Sequence, residues 1–96
     1  AVPLGKLLND ARNLLRLACA HGRICIMRCN RELLPAEEHR QKRYRQRIIA
    51  VCQELYPGIP DPLFTQDPRG ATVKLRLPSG RTNSWGGEGC WCVPGS

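Results

Sequence analysis

The chain has 96 residues, the size of one small domain, which leaves little surface to form both a core and a deep catalytic cleft. Its 15 Lys and Arg outnumber its 8 Asp and Glu, and the net charge of +7 favours an acidic or nucleic-acid partner. The apolar fraction of 42% argues against disorder over the whole chain, and every apolar run is well short of the roughly 20 residues of a membrane helix.

Residues 1–56 have the pattern of two helices. Apolar and small residues recur at three- and four-residue spacing, which predicts an amphipathic helix that ends near residue 30. They are Leu4, Leu7, Leu8, Ala11, Leu15, Ala18, Gly22, Cys25, Ile26, Cys29 and Leu33. Gly22 predicts either a bend or end of this helix or a place where another element packs closely.

A second helix is predicted from Pro35 to about Leu55. Pro35 suits the first helical turn, and Glu37 and Glu38 are favourable near the positive N-terminal end of the helix. Its predicted apolar face consists of Tyr44, Ile48, Val51, Cys52 and Leu55. The short link at residues 30–34 predicts that the two helices form an antiparallel hairpin.

The second half of the chain is typical of loops and short strands, since it holds six of the 8 prolines. Alternation over residues 71–77 predicts a half-buried strand with Val73, Leu75 and Leu77 on one face, and residues 81–85 predict a return strand after a turn. The predicted fold is therefore one α+β domain over residues 1–96. It comprises an antiparallel helical hairpin (1–56), a proline-rich connector (57–70) and a C-terminal β-hairpin with its tail (71–96).

The positive charge is concentrated in the helical half, where residues 1–56 have a net charge of +6 against +1 for residues 57–96. A helix over residues 39–47 would present a dense positive patch, suited to docking on an acidic protein surface or on phosphates. The alternative is a solvated face that only adds solubility. The basic residues of the segment are Arg40, Lys42, Arg43, Arg45 and Arg47.

Two tryptophans, Trp85 and Trp91, flank a glycine-rich stretch near the C-terminus. Tryptophan is enriched among the residues that dominate binding energy, so both are candidate apolar anchors for a partner. The alternative is that they cover the small core of the hairpin, which so short a chain needs.

The six cysteines suggest three interpretations. A disulfide-stapled secreted module is the first, but Cys19, Cys25 and Cys29 share one predicted helix, and Cys90 and Cys92 are one residue apart. A zinc site that includes His21 is the second, although the paired spacing of structural zinc sites is missing. We expect the third, in which the cysteines are mostly reduced core thiols in a cytosolic compartment, with no bound metal or cofactor.

The sequence carries no recognisable catalytic motif: there is no phosphate-binding loop, no nucleophile elbow and no metalloprotease helix. With only 2 His in the chain, acid–base chemistry has few candidate groups. We therefore expect a binding protein rather than an enzyme.

An exposed turn is predicted at Asp67, Pro68 and Arg69, ahead of a glycine. An X-Pro bond costs only about 0.5–1 kcal/mol to place in cis, so an accessible proline is a substrate for a prolyl isomerase. One hypothesis is that an isomerase of the cyclophilin kind binds or acts at Pro68; the alternative is a plain turn.

The length, the Arg-rich helical half and the segment GATVKLRLPSGRTNSWGGEG at residues 70–89 together resemble the lambdoid phage anti-RecBCD accessory proteins, the Abc family. The resemblance implies a phage protein of the host cytoplasm that binds the host RecBCD helicase–nuclease, through RecC, and inhibits or modifies it in favour of phage recombination. Such proteins act by binding, so the resemblance implies no catalytic residues and only an indirect relation to DNA. The alternative function is that of a small basic protein that binds nucleic acid directly.

Overall fold

The computed structural model describes residues 4–65 and 71–85. Two helices, α1 (Leu4–Asn30) and α2 (Pro35–Leu55), precede three short strands. The strands are β1 (Leu63–Phe64), β2 (Val73–Arg76) and β3 (Thr82–Trp85). This arrangement confirms the predicted α+β fold class.

The helical hairpin has the predicted boundaries, but the predicted apolar stripe of α1 was wrong as its core side: Leu4, Leu8 and Leu15 are exposed, and the neighbouring side with Leu14 and Leu17 is buried because it faces α2 and the sheet. α1 continues through Gly22, whose position is buried, so the glycine does not end the helix. After Asn30 a short turn leads to Pro35 at the start of α2. Glu37 closes that turn, because its Oε1 accepts the Leu34 backbone N–H at 2.9 Å and its carboxylate pairs with Arg31. Glu37 thereby provides an acceptor for one of the backbone N–H groups at the start of α2 that have no partner within the helix.

The sheet has three antiparallel strands in the order β1-β2-β3, one more than the predicted hairpin. Leu63 faces Lys74 and Phe64 faces Val73, so β1 lies inside the segment predicted as an irregular connector. That prediction was wrong at this point because a two-residue strand has no periodicity of its own and exists through its pairing with β2. Between β2 and β3, Gly80 has a φ of +87°, a turn conformation that suits glycine.

The core lies between the helices and the inner face of the sheet. Val73 and Leu75 are fully buried, as the alternation of β2 predicts, while Lys74 and Arg76 point to solvent. The buried members of the cluster are Leu14, Leu17, Ala18, Ile48, Cys52, Val73 and Leu75. Half-buried Tyr44, Val51, Leu55, Leu77 and Trp85 pack around them. The sheet therefore seals one side of the helical hairpin, and its outer face remains open to solvent.

The state of the cysteines differs from the expectation of reduced thiols at one position. Cys19 is disulfide-bonded. Cys25, Cys29 and Cys52 carry thiols, of which Cys25 and Cys52 are buried and Cys29 is exposed. The expectation of core thiols was thus correct for Cys25 and Cys52. It was wrong for Cys29, which is on the exposed side of α1, and for Cys19, because pairing depends on which cysteines the fold brings together.

Among the residues that the structure describes, neither helix has the length and apolarity needed to span a bilayer.

Candidate functional site

The basic residues of α2 divide between solvent and the interior. Arg40, Lys42, Arg43 and Arg47 are exposed, whereas Arg45 is half-buried. Arg40, Arg43 and Arg47 follow one another at three- and four-residue spacing on one side of α2, which we name the α2 basic face. Lys42 lies on the other flank of the solvent-facing side. A rise of 1.5 Å per residue places Arg40 and Arg47 about 10 Å apart along the helix axis.

The α2 basic face is only weakly compensated by acidic residues in the described part of the chain. The ion pairs among the described residues join Lys6 to Asp10 and Glu54, and Arg31 to Glu37. Within residues 4–65 and 71–85, therefore, none of the three guanidinium groups of the face forms an ion pair, although the positive charge of Arg40 helps to lower the pKa of Glu37. Such a weakly compensated cluster attracts an anionic surface and accelerates its encounter with the protein.

Arg45 makes internal contacts and does not join the α2 basic face. Its Nε donates a hydrogen bond to Nε2 of His21 at 2.9 Å, and its guanidinium carbon lies 5.4 Å from the centre of the Phe64 ring. One side chain therefore connects α2 with α1 and with β1. Of the five cations predicted to dock a partner, this one is used within the fold.

His21 is fully buried and both of its ring nitrogens are engaged. Nδ1 lies 3.1 Å from Oγ1 of Thr72, and Nε2 accepts from Arg45. Because a guanidinium group only donates, Nε2 must carry the lone pair and Nδ1 the proton, which it donates to Thr72. Burial, aided by the positive charge of Arg45, lowers the pKa of His21 to about 4, so the ring is neutral at pH 7.

The thiol of Cys25 extends this buried polar cluster. Its Sγ lies 3.6 Å from the Thr65 carbonyl oxygen, to which it donates, and it accepts from Nε2 of Gln41 at 3.6 Å. In the described residues no group of three or more His, Cys, Asp or Glu side chains is arranged to hold a metal ion. The cluster is therefore a set of hydrogen bonds that ties α1, α2 and the sheet together.

The remaining predicted site residues are only partly within the described chain. Trp85 is half-buried and packs on the core, which favours the covering role over that of a fully exposed anchor. It also borders an open depression of about 350 Å³ beside Tyr56 and Asn83, so part of the ring faces solvent. Trp91 and the predicted isomerase contacts Asp67, Pro68 and Arg69 lie outside the described residues.

The inward orientation of Arg45 had a signal in the sequence. Gln41, Arg45, Ile48 and Cys52 follow helical spacing, so the two polar residues lie on the same side of α2 as the two apolar ones. Gln41, Ile48 and Cys52 are buried and Arg45 is half-buried. Arg45 was predicted as a surface residue because it is charged, although the helical periodicity places it on the interior side of α2.

Comparison of the chain with protein-family models, with curated proteins and with solved structures gives no match.

Proposed function

We propose that this is a phage protein that binds the host RecBCD helicase–nuclease in the host cytoplasm, through the RecC subunit, and inhibits or modifies it. The proposal rests on the resemblance of residues 70–89 and of the Arg-rich helical half to the anti-RecBCD accessory proteins. Its mechanism is obstruction or redirection of the DNA path through the enzyme, with no chemical step by this chain.

The structural observation that supports docking on a larger protein is the α2 basic face. Arg40, Arg43 and Arg47 present three guanidinium groups on one side of a helix whose other side is fixed in the core. A row of cations on a helix that is fixed in the core suits an acidic surface of a larger protein, since the spacing of the residues along the helix is set before the encounter. Lys42, exposed on the same helix, would extend the contact. The solvent-facing part of Trp85, beside Tyr56, would be a separate apolar anchor.

The test is binding of purified RecBCD to charge-reversed variants of the full chain. Arg43→Glu combined with Arg47→Glu should weaken binding and relieve the effect on RecBCD nuclease activity. The matched control is Lys74→Glu with Arg76→Glu, which changes the net charge equally but on the open face of the sheet. A role for the α2 basic face would be contradicted if both double variants lost RecBCD binding equally, or if neither variant lost binding.

The same face also supports a second function, direct binding of nucleic acid, because Arg is well suited to phosphate contacts. This function predicts affinity for naked DNA that falls with salt, with a log–log slope near −0.9 per phosphate contacted. Tight binding of RecBCD by a protein with no measurable affinity for DNA would exclude it.

A prolyl isomerase of the cyclophilin kind is proposed as a further partner, at Pro68. The support is the sequence alone, in which Asp67, Pro68 and Arg69 precede a glycine and a strand. Capture of a purified cyclophilin by the wild-type chain but not by a Pro68→Ala variant would support this contact, and equal capture by both would exclude the site.

A further inference from the structure

A line of exposed apolar residues runs along the N-terminal half of α1. Leu4, Leu8 and Leu15 are 72%, 54% and 42% exposed, and Ala11 lies between them at the same helical spacing. We name these four residues the α1 leucine stripe. At 1.5 Å per residue it extends about 16 Å, or three turns of helix.

The stripe is separate from the side of α1 that forms the core. Leu14 and Leu17 point towards α2 and the sheet, and both are buried. A helix of a globular protein needs one apolar side for its core, so the second apolar side is not required by the fold. Large aliphatic side chains grouped on a surface, rather than scattered, are typical of an interaction site.

Cationic residues border this stripe. Arg12 and Arg16 are exposed, lie four residues apart on one flank of the stripe, and have no carboxylate partner in the described part of the chain. Over its whole length α1 contains five Lys and Arg and one Asp, a net charge of +4. A second copy of the chain would bring two such helices together, so like-charge repulsion disfavours self-association through this side.

We propose that the α1 leucine stripe binds an amphipathic, acidic helix of a partner protein. The apolar side of that helix would pack against Leu4, Leu8 and Leu15, and its carboxylates would pair with Arg12 and Arg16. A lipid surface fits less well, because the cations border one flank only and the stripe contains no aromatic residue. The inference does not depend on the identity of the partner proposed above.

The test uses the full chain and a synthetic helical peptide of about 14 residues, slightly longer than the stripe. The acidic peptide carries leucines along one side and glutamates beside them; a second peptide has lysines in place of the glutamates. We expect calorimetry to show binding of the acidic peptide only. Leu8→Ser and Leu15→Ser should each lower the affinity at least tenfold, since each removes a leucine side chain that the peptide would bury.

The matched control is Leu63→Ser, which removes an even more exposed leucine, on the sheet, and should leave the affinity unchanged. Arg12→Glu combined with Arg16→Glu should reverse the preference between the two peptides. All the substituted side chains are on the surface, so we expect each variant to retain the fold. Circular dichroism of each variant verifies this.

Several results would overturn the proposal. One is that neither peptide binds, or that both bind equally well. Another is that the leucine variants behave like Leu63→Ser. A dimer in sedimentation that Leu15→Ser dissociates would show that a second copy covers the stripe. Flotation with vesicles of anionic lipid that Leu15→Ser abolishes would show that the ligand is a membrane surface.

Discussion

Nε of Arg45 donates a hydrogen bond to Nε2 of His21 across 2.9 Å, and this contact links the two helices of the hairpin. On the other side of the imidazole, Nδ1 donates to Oγ1 of Thr72, immediately before β2. The ring is thus held between α2 and the sheet in a single tautomer. Because its neutral form is required, the contact makes the stability of the fold depend on pH.

We expect the free energy of unfolding to fall as the pH is lowered from 7 to 5. The folded pKa of His21, about 4, is below its ordinary value of 6.5. Between these values the unfolded chain binds more protons than the folded one, so stability rises with pH. The loss from pH 7 to pH 5 should be about 2 kcal/mol, measured by urea denaturation. A His39→Gln variant, changed at an exposed histidine, should retain this dependence, whereas a flat profile in the wild type would contradict the assignment.

Arg45→Met should destabilise the protein by about 1–3 kcal/mol, because Nε2 of His21 would then be buried without a donor. The same change should raise the pKa of His21, since the nearby positive charge is removed, while burial still holds it below 6.5. Thermal unfolding and NMR titration of the imidazole measure the two effects. Arg43→Met is the control, as Arg43 is exposed on the same helix. Equal effects of the two substitutions would show that the contact with His21 is unimportant.

Glu37→Gln should lower the thermal stability of the helical hairpin. The hydrogen bond from Arg31, followed by that from the Leu34 backbone, lowers the pKa of Glu37 to about 2. Its contribution is therefore fully present above the unfolded value of 4.5 and is lost as the pH falls towards 2. Melting curves over this range should be less dependent on pH in the variant. Glu38→Gln, also in the first turn of α2, tests whether any acid there has the same effect.

Leu75→Ala should destabilise the fold by about 2–5 kcal/mol, because the Leu75 side chain is fully buried between the sheet and the helices. Leu63→Ala removes the same atoms from an exposed position on β1 and should change stability by less than about 0.5 kcal/mol. Urea denaturation compares the two variants. Similar losses would mean that the inner face of the sheet is not packed on the helical hairpin.

Cys29 should be alkylated by iodoacetamide in the native protein well before Cys25 and Cys52. Cys29 is exposed, whereas burial protects the other two and raises the pKa of their thiols, that of Cys52 to about 11. Cys19 should remain unlabelled in urea until a reductant is added, because it is in a disulfide. Mass spectrometry of the peptides distinguishes these sites. Labelling of Cys19 in urea without reductant would restore the expectation of a fully reduced chain.

Much of the architecture was determined by local sequence. The spacing of the leucines and the pair Pro35 and Glu37 set the helical hairpin, because helix formation depends on contacts within a few residues. Alternation placed Val73 and Leu75 inside and Lys74 and Arg76 outside for an equally local reason, the two-residue period of a strand. The concentration of positive charge on α2 was likewise evident from composition.

Only the tertiary structure decided which basic side chains of α2 are exposed on the surface. The periodicity of α2 places Arg45 on the interior side, but its partners His21 and Phe64 lie 24 and 19 positions away in the chain, and no local pattern reveals them. For the same reason β1 could not be foreseen, since it exists through its pairing with β2, a strand distant in the chain. The sequence by itself thus determined the elements and the buried sides of α2 and β2, but not that of α1, where Leu14 and Leu17 are buried and Leu4, Leu8 and Leu15 are exposed. Contacts between residues distant in the chain, which depend on the free energy of the whole fold, draw Arg45 inward. They leave Arg40, Arg43 and Arg47 exposed as the α2 basic face.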